Sequence, residues 1–172
     1  MKKLFVLFIV ISWSFTIPKK IEKKIDKEIR SVFLLESFSK EIMLFDEEIS
    51  ANLEMPFKED NFFKISTQDG HMGYFYLGKA FGKTDDFDFL VIFDENLIIK
   101  KIKILTYRED YGGEISSKRW LKQFNGLTNE DTVVYKKNIK AISGATISVK
   151  SMTNAINDLL KSLTILQSKN QI

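Results

Sequence analysis

The segment FDFLVIFDENLIIKKIKILTY, residues 87–107, indicates the fold most clearly. Residues 87–93 form a short apolar run, and residues 97–107 interleave isoleucines with lysines, a pattern typical of β-strands. Asp94-Glu95-Asn96 separates the two runs and predicts the turn of a β-hairpin. We therefore expect an antiparallel sheet built around this hairpin.

The residues before the hairpin predict one helix and two further strands. Residues 21–45 place apolar side chains at helical spacing between lysines and glutamates, which predicts an amphipathic helix. Residues 62–65 and 72–77 are short aromatic and aliphatic runs that favour strands, and Gly70 marks the break between them. These strands extend the predicted sheet on the N-terminal side.

The residues after the hairpin predict two helices and a short strand. Ser116 or Ser117 is a suitable N-cap for a short helix through Phe124. Residues 132–135 favour a strand, and a long C-terminal helix follows with Ser148 at its expected N-cap. The whole order predicts an α+β fold with a mainly antiparallel sheet and N-terminal, middle and C-terminal helices.

The chain divides into four expected segments, and the first concerns export. Lysines 2 and 3 precede an apolar run over residues 4–15, as in a secretory signal. This run is shorter than the roughly 20 residues that an ordinary membrane-spanning helix needs. Residues 1–18 are thus expected to be a signal peptide or N-terminal anchor, which places the protein outside the cytoplasm; a buried strand or helix is the alternative. The other segments are an amphipathic helix and connector at 19–60, a ligand-binding domain at 61–166 and a tail at 167–172.

Composition excludes several classes of function. The 172 residues contain no cysteine and one histidine, His71, so a thiolate or histidine-rich metal site is not expected. The net charge of +3 is far from the basic footprint of a nucleic-acid binder. No Ser–His–Asp set or close histidine pair occurs, so we assign no catalytic residues and no metal ligands.

The segment that carries the chemistry is ISGATIS, residues 142–148. It places small and hydroxyl residues directly before a helix, whose unpaired N–H groups and positive dipole end favour an anion. Gly144 lets backbone approach a ligand closely, and Ala145 leaves room beside it. Ser143 and Ser148 can donate hydrogen bonds to a phosphate, and Thr146 can do so or become esterified. A plain serine-capped helix after a glycine turn is the alternative.

Three motifs in order resemble those of the FMN-binding domain family. SGATIS, residues 143–148, is similar to the family's flavinylation motif. REDYGGE, residues 108–114, resembles its glycine loop, and WLKQFNG, residues 120–126, resembles the stretch that follows that loop. The family includes the peripheral covalent-flavin subunits of sodium-pumping NADH:quinone reductases and of Rnf-type electron-transport complexes.

The resemblance implies a cofactor and a set of site residues. In the family a dedicated flavin transferase joins FMN to the motif threonine through a phosphoester, and the matching residue here is Thr146. Gly112, Gly113 and Glu114 are implied to lie close to the 143–146 segment around one flavin. Trp120 is a candidate for covering the ring, although a tryptophan on an amphipathic helix is more often part of the core.

Three functions remain open on the sequence alone. The first is an exported electron carrier whose partners are a flavin transferase and membrane electron-transfer subunits or exported redox proteins. The second is an exported non-catalytic binding or scaffold module with the same fold and with no flavin or a non-covalent one. It is favoured by Lys140, which stands where the family usually has aspartate. The third is a flavin-dependent reductase, which needs an attached catalytic domain.

Overall fold

The computed structural model describes residues 17–58 and 60–172. The apolar run at residues 4–15, on which the expected export signal rests, lies outside these ranges, so that expectation stays a prediction. Within the two described ranges, no helix combines the length and the apolar character needed to cross a membrane.

A five-stranded antiparallel sheet forms the centre of the fold, and its strands are neighbours in chain order. The strands are β1 (Ser39–Ile42), β2 (Phe62–Thr67), β3 (Gly70–Phe81), β4 (Asp86–Asp94) and β5 (Ile99–Thr106). Together with the helices this sheet confirms the predicted α+β class.

In the described ranges, one helix precedes the sheet in the sequence, one lies between β1 and β2, and two follow β5. They are α1 (Lys19–Phe33), α2 (Glu47–Ser50), α3 (Lys118–Leu121) and α4 (Thr146–Ser168), with 3-10 turns at Gly113–Ser116 and Lys122–Phe124. Ser117 caps α3 by accepting a hydrogen bond from the Trp120 amide, which confirms one of the two predicted caps.

Strand β4 is buried on both faces because the sheet separates two apolar clusters. Phe89 and Phe93 face the cluster that contains the apolar side of α4. Leu90 and Ile92, which alternate with them, face the cluster that contains Ile25 and Ile29 of α1. This double burial explains why the strand is an unbroken apolar run, and it places the start of α4 on one side of the sheet.

Two predicted elements were wrong. The helix expected over residues 21–45 ends at Phe33, since Leu34 adopts a left-handed conformation (φ 57°), and residues 39–42 pair with β2 instead. The strand expected at 132–135 is an isolated bridge between Tyr135 and Ile139. The Asn138 side chain accepts from the Val134 amide (2.6 Å) and donates to the Thr132 carbonyl (2.7 Å), and the Val134 carbonyl accepts from the Lys137 and Asn138 amides.

Candidate functional site

Helix α4 begins at Thr146, with Ala145 at the N-cap and no side-chain cap from any residue that the structure describes. This corrects the sequence expectation that Ser148 is the cap. Alanine is among the least favourable N-cap residues because it offers the first amides no acceptor. The amides of Thr146, Ile147 and Ser148 make no hydrogen bond within the described parts of the chain. The helix therefore presents unpaired donors at its positive end.

The loop that leads into α4 leaves the predicted attachment residue accessible. Ser143, Gly144 and Thr146 are exposed, whereas Ala145 is buried. Gly144 has a φ of +79°, which glycine tolerates, and a Cβ placed there meets no atom within 4 Å. Open space thus surrounds the turn immediately before the uncapped helix, and the Thr146 side chain lies at its edge.

Ser148 occupies a different place from Thr146, although the two residues share one helical turn. Its side chain is buried, and its oxygen lies 3.1 Å from the Tyr107 hydroxyl. That hydroxyl donates to the Tyr111 carbonyl at 3.0 Å, so its one proton is used and Ser148 is the donor to Tyr107. Ser148 therefore ties α4 to the end of β5 and to the glycine loop.

The glycine loop lies against the start of α4, as predicted. A Cβ on Gly112 would stand 2.9 Å from both the Ala145 Cβ and the Tyr107 hydroxyl, and φ at Gly112 is +81°. Only glycine fits this position without strain. Gly113, by contrast, begins a 3-10 turn and faces open space. The predicted proximity of the two loops is confirmed at Gly112, and the role of the loop residues in binding stays a prediction.

A hydrogen-bonded clamp holds the chain that leads into this loop. The indole Nε1 of Trp120 donates to the Lys140 carbonyl at 2.8 Å, and the Gln123 amide oxygen accepts from the Lys140 amide at 2.9 Å. The Trp120 ring is buried and packs edge-on against Phe124. Trp120 is thus a core residue that also fixes the backbone three residues before Ser143.

A cleft of about 720 Å³ lies beside the clamp. Its lining residues are Glu114, Ser117, Arg119, Trp120, Gln123, Lys140, Ala141, Ile142 and Ser143. The structure therefore brings Glu114, Trp120 and Ser143 of the predicted set to one cavity. Small-molecule sites span roughly 300–1,000 Å³, so the cleft is large enough for part of a cofactor.

Sequence reasoning missed the roles of Gln123 and Tyr107. The spacing of Trp120 and Gln123, three residues apart, puts both on one side of a helical turn, but it does not show that Lys140 is their common partner. Tyr107 directly follows β5, and nothing in the residues around it indicates that its hydroxyl contacts Ser148, 41 residues away. Both contacts join segments far apart in the chain.

The Glu109 carboxylate is hydrogen-bonded to the turn at Thr84 and Asp85, so it is not simply a solvated charge in a loop. Its carboxylate accepts hydrogen bonds from the Thr84 amide (2.6 Å), the Thr84 hydroxyl (2.9 Å) and the Asp85 amide (3.1 Å). These bonds, first of all those from the Thr84 and Asp85 amides, lower the pKa of Glu109 from its ordinary value of 4.5 to about 2. The carboxylate thus fixes the connection between β3 and β4.

The depressed pKa predicts a pH dependence of stability. A carboxyl whose pKa is lower in the folded state stabilises the fold above about pH 4.5, and that contribution disappears as the pH falls from about 4.5 to about 2. We expect Glu109→Gln to unfold at lower urea concentration than wild type at pH 7 and to match it more closely near pH 2. Asp110→Asn is the control, because Asp110 is exposed and accepts no hydrogen bond from the described residues. An equal difference at both pH values would contradict the assignment.

Within the described residues, no group of three or more histidine, aspartate or glutamate side chains is arranged to hold a metal ion. The arrangement is instead suited to a phosphate-bearing ligand: unpaired helix amides, an accessible hydroxyl, a glycine-lined approach and an adjacent cleft.

Comparison with known families agrees with this class of site. Residues 82–161 match the model of the FMN-binding domain. That range begins at the turn held by Glu109 and includes the glycine loop, the clamp, the cleft and the first four turns of α4. No curated protein matches the chain. Residues 82–161 therefore form a domain of the FMN-binding family, and FMN is the cofactor of this domain.

Proposed function

We propose that the protein is an exported electron carrier whose FMN is joined to Thr146 by a phosphoester bond. The observation that carries the proposal is the position of Thr146: an exposed hydroxyl on the first residue of an uncapped helix, inside the matched FMN-binding domain. A phosphate attached there lies at the positive end of α4, within reach of unpaired amides.

The side chains around Thr146 have separate roles in this proposal. Ser143 is exposed and can donate a hydrogen bond to the phosphate. Ser148 is held by Tyr107 and keeps the glycine loop against α4, so its contribution to phosphate binding is indirect. Because Gly112 has no side chain, the glycine loop can pack against Ala145, and the backbone of the loop then lies beside the start of α4. FMN, when bound, supplies one- and two-electron transfer.

Attachment replaces the proton on Thr146 Oγ1 by a bond to the flavin phosphorus. The FMN group comes from an activated flavin donor, a phosphoanhydride such as a flavin dinucleotide: the P–O bond of the anhydride breaks, the leaving phosphate takes the Thr146 proton, and the chain gains the mass of FMN less one water. A flavin transferase is the proposed partner for this step, and membrane electron-transfer subunits or other exported redox proteins are the proposed partners for electrons. The resemblance to the covalent-flavin subunits supports both assignments.

The attachment is tested on wild-type protein produced together with an active flavin transferase. A denaturing gel read for flavin fluorescence is expected to show a fluorescent band at the mass of the chain, because an ester survives unfolding and a non-covalent flavin does not. A dark band in the presence of the active enzyme, with yellow native protein, would assign non-covalent FMN instead.

Export predicts that the C-terminus lies outside the cytoplasmic membrane. The motivation is the apolar run after two lysines at the start of the chain. A reporter enzyme that is active only outside this membrane, fused to the C-terminus, is expected to be active. Deleting residues 2–15 is the control and is expected to abolish that activity. An inactive fusion with all protein in the soluble cytoplasmic fraction would refute export.

A further inference from the structure

The cleft beside the attachment residue has an excess of positive charge. Lys140 and Arg119 line it together with a single carboxylate, that of Glu114. Neither cation forms an ion pair with any residue in the described ranges. An unpaired cation at the wall of a cofactor cleft interacts with charge that the cofactor gains, by an amount that falls with distance and with screening.

The position of Lys140 is fixed although its side chain is exposed. Its amide and carbonyl are both held, by Gln123 at 2.9 Å and by Trp120 at 2.8 Å. Residues 140–143 then line the cleft without interruption, and Thr146 follows three residues later. A group attached to Thr146 is thus joined to the chain three residues after Ser143, which lines the same cleft as the two cations.

We propose that the cleft takes the isoalloxazine ring and that Lys140 raises the reduction potential of the bound FMN. Two electrons and one proton, supplied by a reduced nicotinamide or a second reduced flavin, leave one negative charge on the ring. A cation near the ring stabilises this charged form relative to the neutral oxidised form. This inference rests on the proposed function, because it requires FMN at this site.

The test is a spectroelectrochemical titration of the FMN-loaded full chain, with dithionite as reductant. We expect Lys140→Met to lower the midpoint potential. The expected shift corresponds to about tenfold weaker binding of reduced relative to oxidised FMN, and couplings of about 5- to 150-fold are typical between two sites. Lys140→Arg keeps the charge and is expected to stay close to wild type. Lys150→Met is the matched control: Lys150 is an exposed lysine on α4 that does not line the cleft, and its Nζ lies 5.5 Å from the Tyr135 ring centre.

The outcomes separate this inference from the proposed function. A midpoint unchanged in Lys140→Met, in protein that still holds FMN, overturns the role of Lys140 and leaves the electron carrier standing. Equal shifts in Lys140→Met and Lys150→Met also overturn it, because they indicate a general effect of surface charge. Protein that holds no FMN, covalently or otherwise, removes both proposals.

Discussion

Replacing Thr146 with alanine is expected to remove all covalently bound flavin and to leave the fold intact. The side chain is exposed at the start of α4 and makes no hydrogen bond to the described residues, so its loss changes little in the folded state. The alanine side chain, however, has no oxygen, so no phosphoester can form at this position. The measurement is flavin fluorescence on a denaturing gel of protein produced with the flavin transferase, together with the urea midpoint of each variant.

The neighbouring serines provide graded controls. Ser143→Ala removes one donor to the phosphate, and hydrogen bonds to charged groups contribute about 1.5–3 kcal/mol. We therefore expect weaker flavin retention with attachment preserved. Ser148→Ala breaks the contact with Tyr107, so it is expected to lower both flavin retention and the urea midpoint. Fluorescence that persists in Thr146→Ala would show that another residue is the acceptor.

Gly112→Ala is expected to lower the free energy of unfolding by about 2–4 kcal/mol and to weaken FMN retention. The added Cβ meets the Ala145 Cβ and the Tyr107 hydroxyl at 2.9 Å, and the backbone there has a φ of +81°. Relief of this collision requires the glycine loop to move away from the start of α4. Native domains are stable by only about 5–15 kcal/mol, so the loss is large.

Gly113→Ala is the matched control for that prediction. A Cβ at Gly113 meets nothing within 4 Å, and its backbone is not in the left-handed region. We expect a change within about 0.5 kcal/mol, as for an ordinary surface substitution. The comparison is made by urea denaturation and by titration with FMN. Equal effects of the two substitutions would mean that the close packing of Gly112 against Ala145 does not position the site.

The sheet was largely predictable from sequence because its pattern is local. Residues 87–107 contain both strands and the turn of the central hairpin, and the structure places β4 and β5 within one or two residues of those runs. Strand β1 was missed because its four residues are mostly exposed and follow a strongly amphipathic helix. Pairing with β2 decides its conformation, and that pairing is not visible in its own residues.

The site was predictable in part for a similar reason. Short motifs indicated Thr146 and the glycine loop as candidates, and a helix start next to small residues is readable from sequence. The predicted N-cap was wrong because Ser148 is a favourable cap by residue type, whereas α4 begins at Thr146. Ser148 is instead buried and contacts Tyr107, 41 residues away, which its neighbours in sequence do not indicate. The clamp on Lys140 joins residues 17 to 20 positions apart and has no pattern of its own.

The attachment of FMN to Thr146 is tested most directly by the mass of the peptide that contains this residue. Wild-type protein is produced with its flavin transferase, digested, and mapped by mass spectrometry with fragmentation. We expect a peptide heavier by FMN less one water, with the addition located on Thr146 and absent from Thr146→Ala. An unmodified peptide from fully loaded yellow protein, or an addition on Ser143 or Ser148, would contradict it.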